Sequence, residues 1–184
     1  TPVAVASLTD IISITSGYGH TCAVISTGIA FCWGLNMFGE LGNGTMGSPT
    51  NSPVPLAVSG LVDAVEISGG YHHTCASRSG GSAMCWGFNS LGQLGNGAFS
   101  MPSTVPVAVS GLTDVAAISA GYEHSCAVHD TGGVSCWGGN TYGALGNGTD
   151  GSGTESNVPV EVLELTDVTT ATGGSGHTCA ALSS

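Results

Sequence analysis

The chain has 184 residues, 31 of them glycine, and sets 12 acidic residues against a single basic one, Arg78, for a formal net charge of −11. A protein that neutralises phosphates needs clustered Lys and Arg, so neither nucleic acid nor an anionic membrane surface is an expected partner. The acidity itself reads as a solubility feature. No apolar run approaches the ~18 residues of a membrane span. No signal-peptide pattern opens the chain, and no stretch carries the 3.6-residue apolar period of a helix. Gly and Pro punctuate the whole length, which points to an all-β fold of short strands and tight turns.

Taken in order, PVAV at Pro2–Val5 is expected to open the first repeat as a strand, since a leading proline loses no ladder hydrogen bond there. LTDIISI, from Leu8, reads as a short inner strand with little charge. Gly17-Tyr18-Gly19-His20 then leads into a strand through Cys22, which ends at the turn Ser26-Thr27-Gly28. Glycine in third place suits a three-residue hairpin loop whose last residue is left-handed. The returning strand carries Cys32-Trp33-Gly34. A glycine-rich segment, Gly34 to Gly44, ends in LGNG, and a variable Ser/Thr/Pro loop, Thr45–Pro53, follows.

The whole order then recurs. Cys22, Cys75, Cys126 and Cys179 are spaced by 53, 51 and 53 residues, and Pro2, Pro55, Pro106 and Pro159 by the same steps. A period near fifty with several β segments per repeat marks the blades of a β-propeller. Phased on the prolines, the units are 2–54, 55–105, 106–158 and an incomplete 159–184, together a partial propeller over 1–184. The blades are expected to be sheets of four antiparallel strands, three full repeats plus a partial fourth.

The turn fixes the register, and the register predicts the cysteine chemistry. The midpoints of Cys22/Cys32, Cys75/Cys85 and Cys126/Cys136 fall on Thr27, Gly80 and Thr131, the centres of the three turns. The members of each pair therefore face each other across antiparallel strands, at the ~4.5–5.5 Å Cα separation that a disulfide can bridge. A metal site is the weaker reading, because no C-x-x-C accompanies the pairs. Three disulfides imply an oxidising compartment, hence an extracellular or cell-surface location. Cys179 lacks its partner, which would fall ten residues on. It is expected to be unpaired or intermolecular. The missing partner also suggests a piece of a longer chain, or failing that several chains completing a ring.

His20, His73, His124 and His177 recur at one repeat position and read as hydrogen-bonding struts rather than metal ligands. His72 and His129 do not recur, and surface positions are the default for both. Trp33, Trp86 and Trp137 read as packing residues. Tyr18, Tyr71 and Tyr122 precede the strut histidines near strand starts and are the candidate aromatics of a ligand face. Asn43 and Asn147 stand in N-x-T sequons, although Asn-Gly is equally a turn signal, and turn alone is the preferred reading. Asp63, Asp114 and Asp167 repeat as turn residues. No nucleophile with a base, no paired carboxylates and no phosphate loop emerge, so neither catalysis nor a metal or other cofactor is expected.

The run G-x-x-H-[TS]-C-A, then C-W-G-x-N-x-x-G-x-L-G-N-G, then P-V-x-V resembles the repeat of the regulator of chromosome condensation family, over essentially the whole chain. The cysteines resemble those of its bacterial and extracellular-type members. The resemblance implies a propeller, usually of seven four-stranded blades, and proteins that include nucleotide-exchange factors, inhibitors, ubiquitin-ligase modules and adhesion-type domains. It hands no functional residue to this chain. The expected function is a non-enzymatic extracellular binding or structural module with variable loops, Thr45–Pro53, Ala98–Thr104 and Thr149–Val158, contacting a protein partner or further copies of itself. A carbohydrate-binding propeller using the tyrosines or tryptophans is the alternative, and a guanine-nucleotide exchange factor the more remote one.

Overall fold

The computed structural model describes residues 1, 3–5 and 8–183. Among these no helix forms, and fourteen strands make up three four-stranded sheets and one two-stranded sheet. The first blade runs β1 (Ile11–Ser16), β2 (His20–Ile25), β3 (Ala30–Gly34) and β4 (Ser52–Ala57). The second is β5 (Ala64–Gly69), β6 (His73–Arg78), β7 (Ala83–Gly87) and β8 (Ser103–Ala108). The third is β9 (Val115–Ala120), β10 (His124–His129), β11 (Val134–Gly138) and β12 (Ser156–Glu161), and the two-stranded sheet pairs β13 (Val168–Gly173) with β14 (Thr178–Leu182). Each sheet is a simple antiparallel meander in chain order.

The proline-led strands occupy the end of each blade rather than its start. Pro55, Pro106 and Pro159 lie in β4, β8 and β12, which pair with the preceding β3, β7 and β11. Their place on the outer edge is where a missing N–H is least costly. Of the strand expected at Pro2–Val5, Pro2 lies outside the described residues and Val3–Val5 form no strand. The strand expected from Leu8 begins at Ile11, and its face is open: Ile11 and Ile14 are exposed, whereas Ala64 and Ile67, and Val115 and Ile118, at the equivalent places are buried.

The hairpin turns have the expected geometry, with Gly28, Gly81 and Gly132 at φ of 84°, 77° and 82°. Cys22↔Cys32, Cys75↔Cys85 and Cys126↔Cys136 are directly opposed and disulfide-bonded, with Cα atoms 4.1, 4.1 and 4.0 Å apart. Such short separations belong to the non-hydrogen-bonded pairs of an antiparallel ladder, where side chains approach most closely. Cys179 on β14 is free and exposed.

The core lies in the seams between blades. One seam packs Cys22, Cys32, Leu41, Val58 and Leu61 of the first blade and its connection against Ile67, Ala76 and Trp86 of the second. The next repeats the arrangement around Trp137, and the third gathers Leu145 and Val168 with Cys126 and Cys136. The disulfides are thus part of the seams, at essentially zero exposure.

A polar clasp crosses each seam beside this apolar packing. His20 Nε2 lies 2.9 Å from Thr74 Oγ1 of the next blade, and the Thr74 hydroxyl donates to the Glu40 carbonyl at 3.0 Å. Since that hydroxyl proton is committed to the carbonyl, His20 must carry its own proton on Nε2. The Trp86 indole N–H fills the second lone pair of the same carbonyl at 2.8 Å. His73, Ser125, Trp137 and the Gln93 carbonyl repeat the clasp, and His124, Thr178 and the Ala144 carbonyl repeat it without an indole. The struts therefore tie blade to blade. Glycine before each strut histidine is required by close approach: a Cβ at Gly70 would collide with the His73 ring and the Gly121 carbonyl.

Thr74→Val removes the hydroxyl at constant shape and strands the His20 N–H in a buried seam. The expected loss is about 1–3 kcal/mol, the usual cost of an unpaired buried donor. Thr74→Ser should lose far less, because Ser125 serves the next seam. Urea midpoints of the two variants make the comparison.

Candidate functional site

In a four-stranded meander the first and third connections of each blade emerge at one end of the sheet, and the second connection and the link to the next blade at the other. The sequence is sharply divided between these ends. All four tyrosines (Tyr18, Tyr71, Tyr122, Tyr142) sit in first or third connections, as do Phe38, Phe88 and Phe99 and Met37, Met46 and Met101. Only Phe31 and Met84 of these residue types lie in strands. The opposite end carries Asp10, Asp63, Asp114, Asp130 and Asp167. The first end forms an aromatic face, whose connections also hold Glu40, Glu123, Asp150 and Glu155; the other, with five of the six aspartates, forms the acidic face.

On the aromatic face the first connections of successive blades stand side by side. The Tyr18 N–H donates to the Gly70 carbonyl at 3.2 Å, and the Tyr122 N–H to the Gly174 carbonyl at 3.0 Å. This aligns the three candidate tyrosines. The Tyr18 and Tyr71 rings are 4.5 Å apart at 51°, and Tyr71 and Tyr122 are stacked at 4.0 Å and 21°. Tyr18 is 68% exposed and Tyr122 38%, so the array meets solvent. It lines an open cleft of about 510 Å³ with Gly70, Gly121 and Ser175. The Tyr122 hydroxyl beside it is the first cause that raises the Tyr71 phenol above its ordinary pKa.

His72 extends the array and is not a free surface residue. Its ring meets Tyr71 edge-on at 4.2 Å and Phe38 at 4.7 Å, and Phe38 in turn contacts Phe88 at 4.9 Å. Its Nδ1 is bonded at 2.8 Å to Glu40, whose carboxylate is fully buried and also accepts the Phe38 N–H at 2.8 Å. The pair joins the first blade to the second. His129 likewise has partners: Asp114 at 2.8 Å and Ser135 at 2.8 Å. Asp63 accepts from Arg78 at 2.8 Å. The turn aspartates therefore brace the acidic face as well as turning the chain.

Three residues unremarked in the sequence organise the third connections. Asn36, Asn89 and Asn140 are buried, and each Oδ1 accepts the N–H of Leu41, Leu94 or Leu145 at 3.0 Å. Their Nδ2 groups donate into the variable loops, to Thr45 and Thr50 in the first blade and to Thr149 and Thr154 in the third. The invariant N of G-x-N in all three repeats was the available signal. Asn43 and Asn147 shape turns: each Oδ1 accepts the hydroxyl of the sequon threonine, Thr45 or Thr149, at 2.7 Å. The loops are also bound to the following blade, through Gly44 N–H to the Thr104 carbonyl and Gly97 N–H to the Asn157 carbonyl.

The strut histidines do not form a metal centre, because the Nε2 of His20, His73 and His124 faces a hydroxyl of the next blade. Among the described residues no three His, Cys, Asp or Glu side chains gather with ligand geometry. Burial pushes these imidazoles down to about 4, 3 and 4, in that order, so all three are neutral at pH 7.

Stapled blades clasped in series, with connections presented at one end, define a β-propeller of the repeat-built class. The sequence profile of the regulator of chromosome condensation (RCC1) repeat matches residues 27–77, 81–128 and 131–181, and the chain belongs to that family. It is 32% identical over 164 residues to the ultraviolet-B receptor UVR8 of Arabidopsis thaliana, covering 87% of this chain and 36% of the receptor. It is 32% identical over 173 residues to the human probable E3 ubiquitin-protein ligase HERC3, covering 92% of this chain and 16% of the ligase. The chain thus spans about a third or less of these relatives. Prp20p of Saccharomyces cerevisiae, whose structure was described with its binding to Gsp1p and histones, superposes with a TM-score of 0.82 at 21% identity, over 95% of this chain and 44% of Prp20p. That likeness concerns the fold.

Proposed function

We propose that this chain is the blade-bearing part of a non-enzymatic β-propeller that binds a protein partner through its aromatic face, outside the cell or at its surface. The observation that carries this reading is the segregation of exposed Tyr, Phe and Met to one end of the blades. Exposed apolar patches of this kind mark interaction sites, and Tyr, Phe and Met are the residue types enriched at interface cores. The buried Asn36, Asn89 and Asn140 hold that face rigid, which limits the ordering cost of binding. Protein binding by Prp20p, named in the description of its structure, agrees in kind. The disulfides support the extracellular setting.

A photo-crosslinker placed at Tyr142 or Met101, both highly exposed, should capture a partner from the native surroundings. The same group at Thr27 or Asp130 on the acidic face should not. Equal capture from both faces, or from the acidic face alone, would refute the assignment.

A further inference from the structure

The tyrosine array has a chemical consequence that is independent of any partner. Tyr71 and Tyr122 occupy the same position in successive repeats and are stacked at 4.0 Å and 21°. Two rings that overlap in the same direction bring the carbons beside the phenol oxygens, where a phenoxyl radical carries spin, face to face. The Tyr18–Tyr71 pair is farther apart, at 4.5 Å, and inclined at 51°, so its rings do not lie face to face. Tyr142 is 80% exposed and belongs to no tyrosine pair among the described residues.

We propose that Tyr71 and Tyr122 are a modification site at which one-electron oxidation couples the two rings into an intramolecular dityrosine. The co-reactant is hydrogen peroxide acting through a haem peroxidase. Each phenol loses one electron and its hydroxyl proton. The two phenoxyl radicals form a carbon–carbon bond between the ring positions beside the oxygens. The C–H bonds at those positions then break as the rings regain aromaticity, and the phenol oxygens are reprotonated. The two electrons and two protons removed reduce one peroxide to two waters, so the protein becomes lighter by two hydrogen atoms. Holding both radicals in one rigid array turns a bimolecular encounter into a unimolecular step. The product would join the second and third blades covalently across the aromatic face.

The test uses the disulfide-intact chain at low concentration with a haem peroxidase and hydrogen peroxide. The expected product is a monomer with dityrosine fluorescence and a mass lower by two hydrogens. Cleavage before aspartate, after reduction, separates the tyrosines: Tyr18 falls in residues 10–62, Tyr71 in 63–113, Tyr122 in 114–129 and Tyr142 in 130–149. The cross-linked species should join 63–113 to 114–129. Tyr71→Phe and Tyr122→Phe should each abolish it, while Tyr18→Phe and Tyr142→Phe leave it intact. No cross-link, one between 10–62 and 63–113, or covalent dimers as the main product would each overturn the proposal. Because the readout is a covalent mass, its failure would leave the docking assignment standing.

Discussion

Reducing the three disulfides, or replacing all six paired cysteines with alanine, should unfold the chain at room temperature. Each bridge closes a loop of ten residues, and loop-closure entropy assigns a ring of that size about 3 kcal/mol. Three of them reach the range of a whole domain's stability, about 5–15 kcal/mol. Their position strengthens the case. The sulfurs are buried in the seams among Val24, Leu41 and Trp86 and their counterparts, so alanine at the same sites also leaves cavities, which add to the loss. A single pair, Cys75→Ala with Cys85→Ala, should lower the urea midpoint by roughly a third of the total. A mild reductant should act only on molecules that have opened. Far-ultraviolet circular dichroism with and without reductant gives the answer; a reduced chain that keeps its fold and its urea midpoint would show that the clasps alone suffice.

Acid should unfold the chain well before its carboxylates are neutralised. His20, His73 and His124 are held neutral in the fold at about 4, 3 and 4, below the ordinary 6.5, and the cause is burial in the seams. The unfolded chain therefore binds protons more tightly than the native one below pH 6.5. Stability is complete above that value and is lost progressively as the pH falls toward 4 and then 3. At pH 5 the unfolded state gains about 2 kcal/mol from each ring, taking one pK unit as about 1.4 kcal/mol. The loss from pH 7 to pH 5 should thus be several kcal/mol in urea titrations. The direction is informative, because acidification also relieves the repulsion of a chain with net charge −11, which alone would raise stability. A urea midpoint that is constant or rises between pH 7 and pH 5 would refute the role given to the buried imidazoles.

The blade was legible before the structure because its signals are local and repeated. Ten-residue spacing around a turn with glycine third determines a hairpin register, and the register determines which cysteines meet. The identity of the unit could be read from Cys-Trp-Gly and LGNG for the same reason. Its phase could not. A proline-led strand reads equally as the start of one repeat or the end of the one before, and only sheet pairing places Pro55 opposite β3. The roles of the single histidines were hidden too: His72 is defined by Glu40, thirty-two positions earlier in the chain, and no local pattern connects them.

By itself the sequence determined the strand periodicity, the staples and the repeat count, since each rests on neighbours in the chain. Only the tertiary structure decided that the struts run between blades, that one carbonyl serves both a hydroxyl and an indole, and that Tyr18, Tyr71 and Tyr122 form one array. Those contacts join residues 32 to 54 positions apart, and the stacking of successive blades is what brings one repeat beside its own next copy.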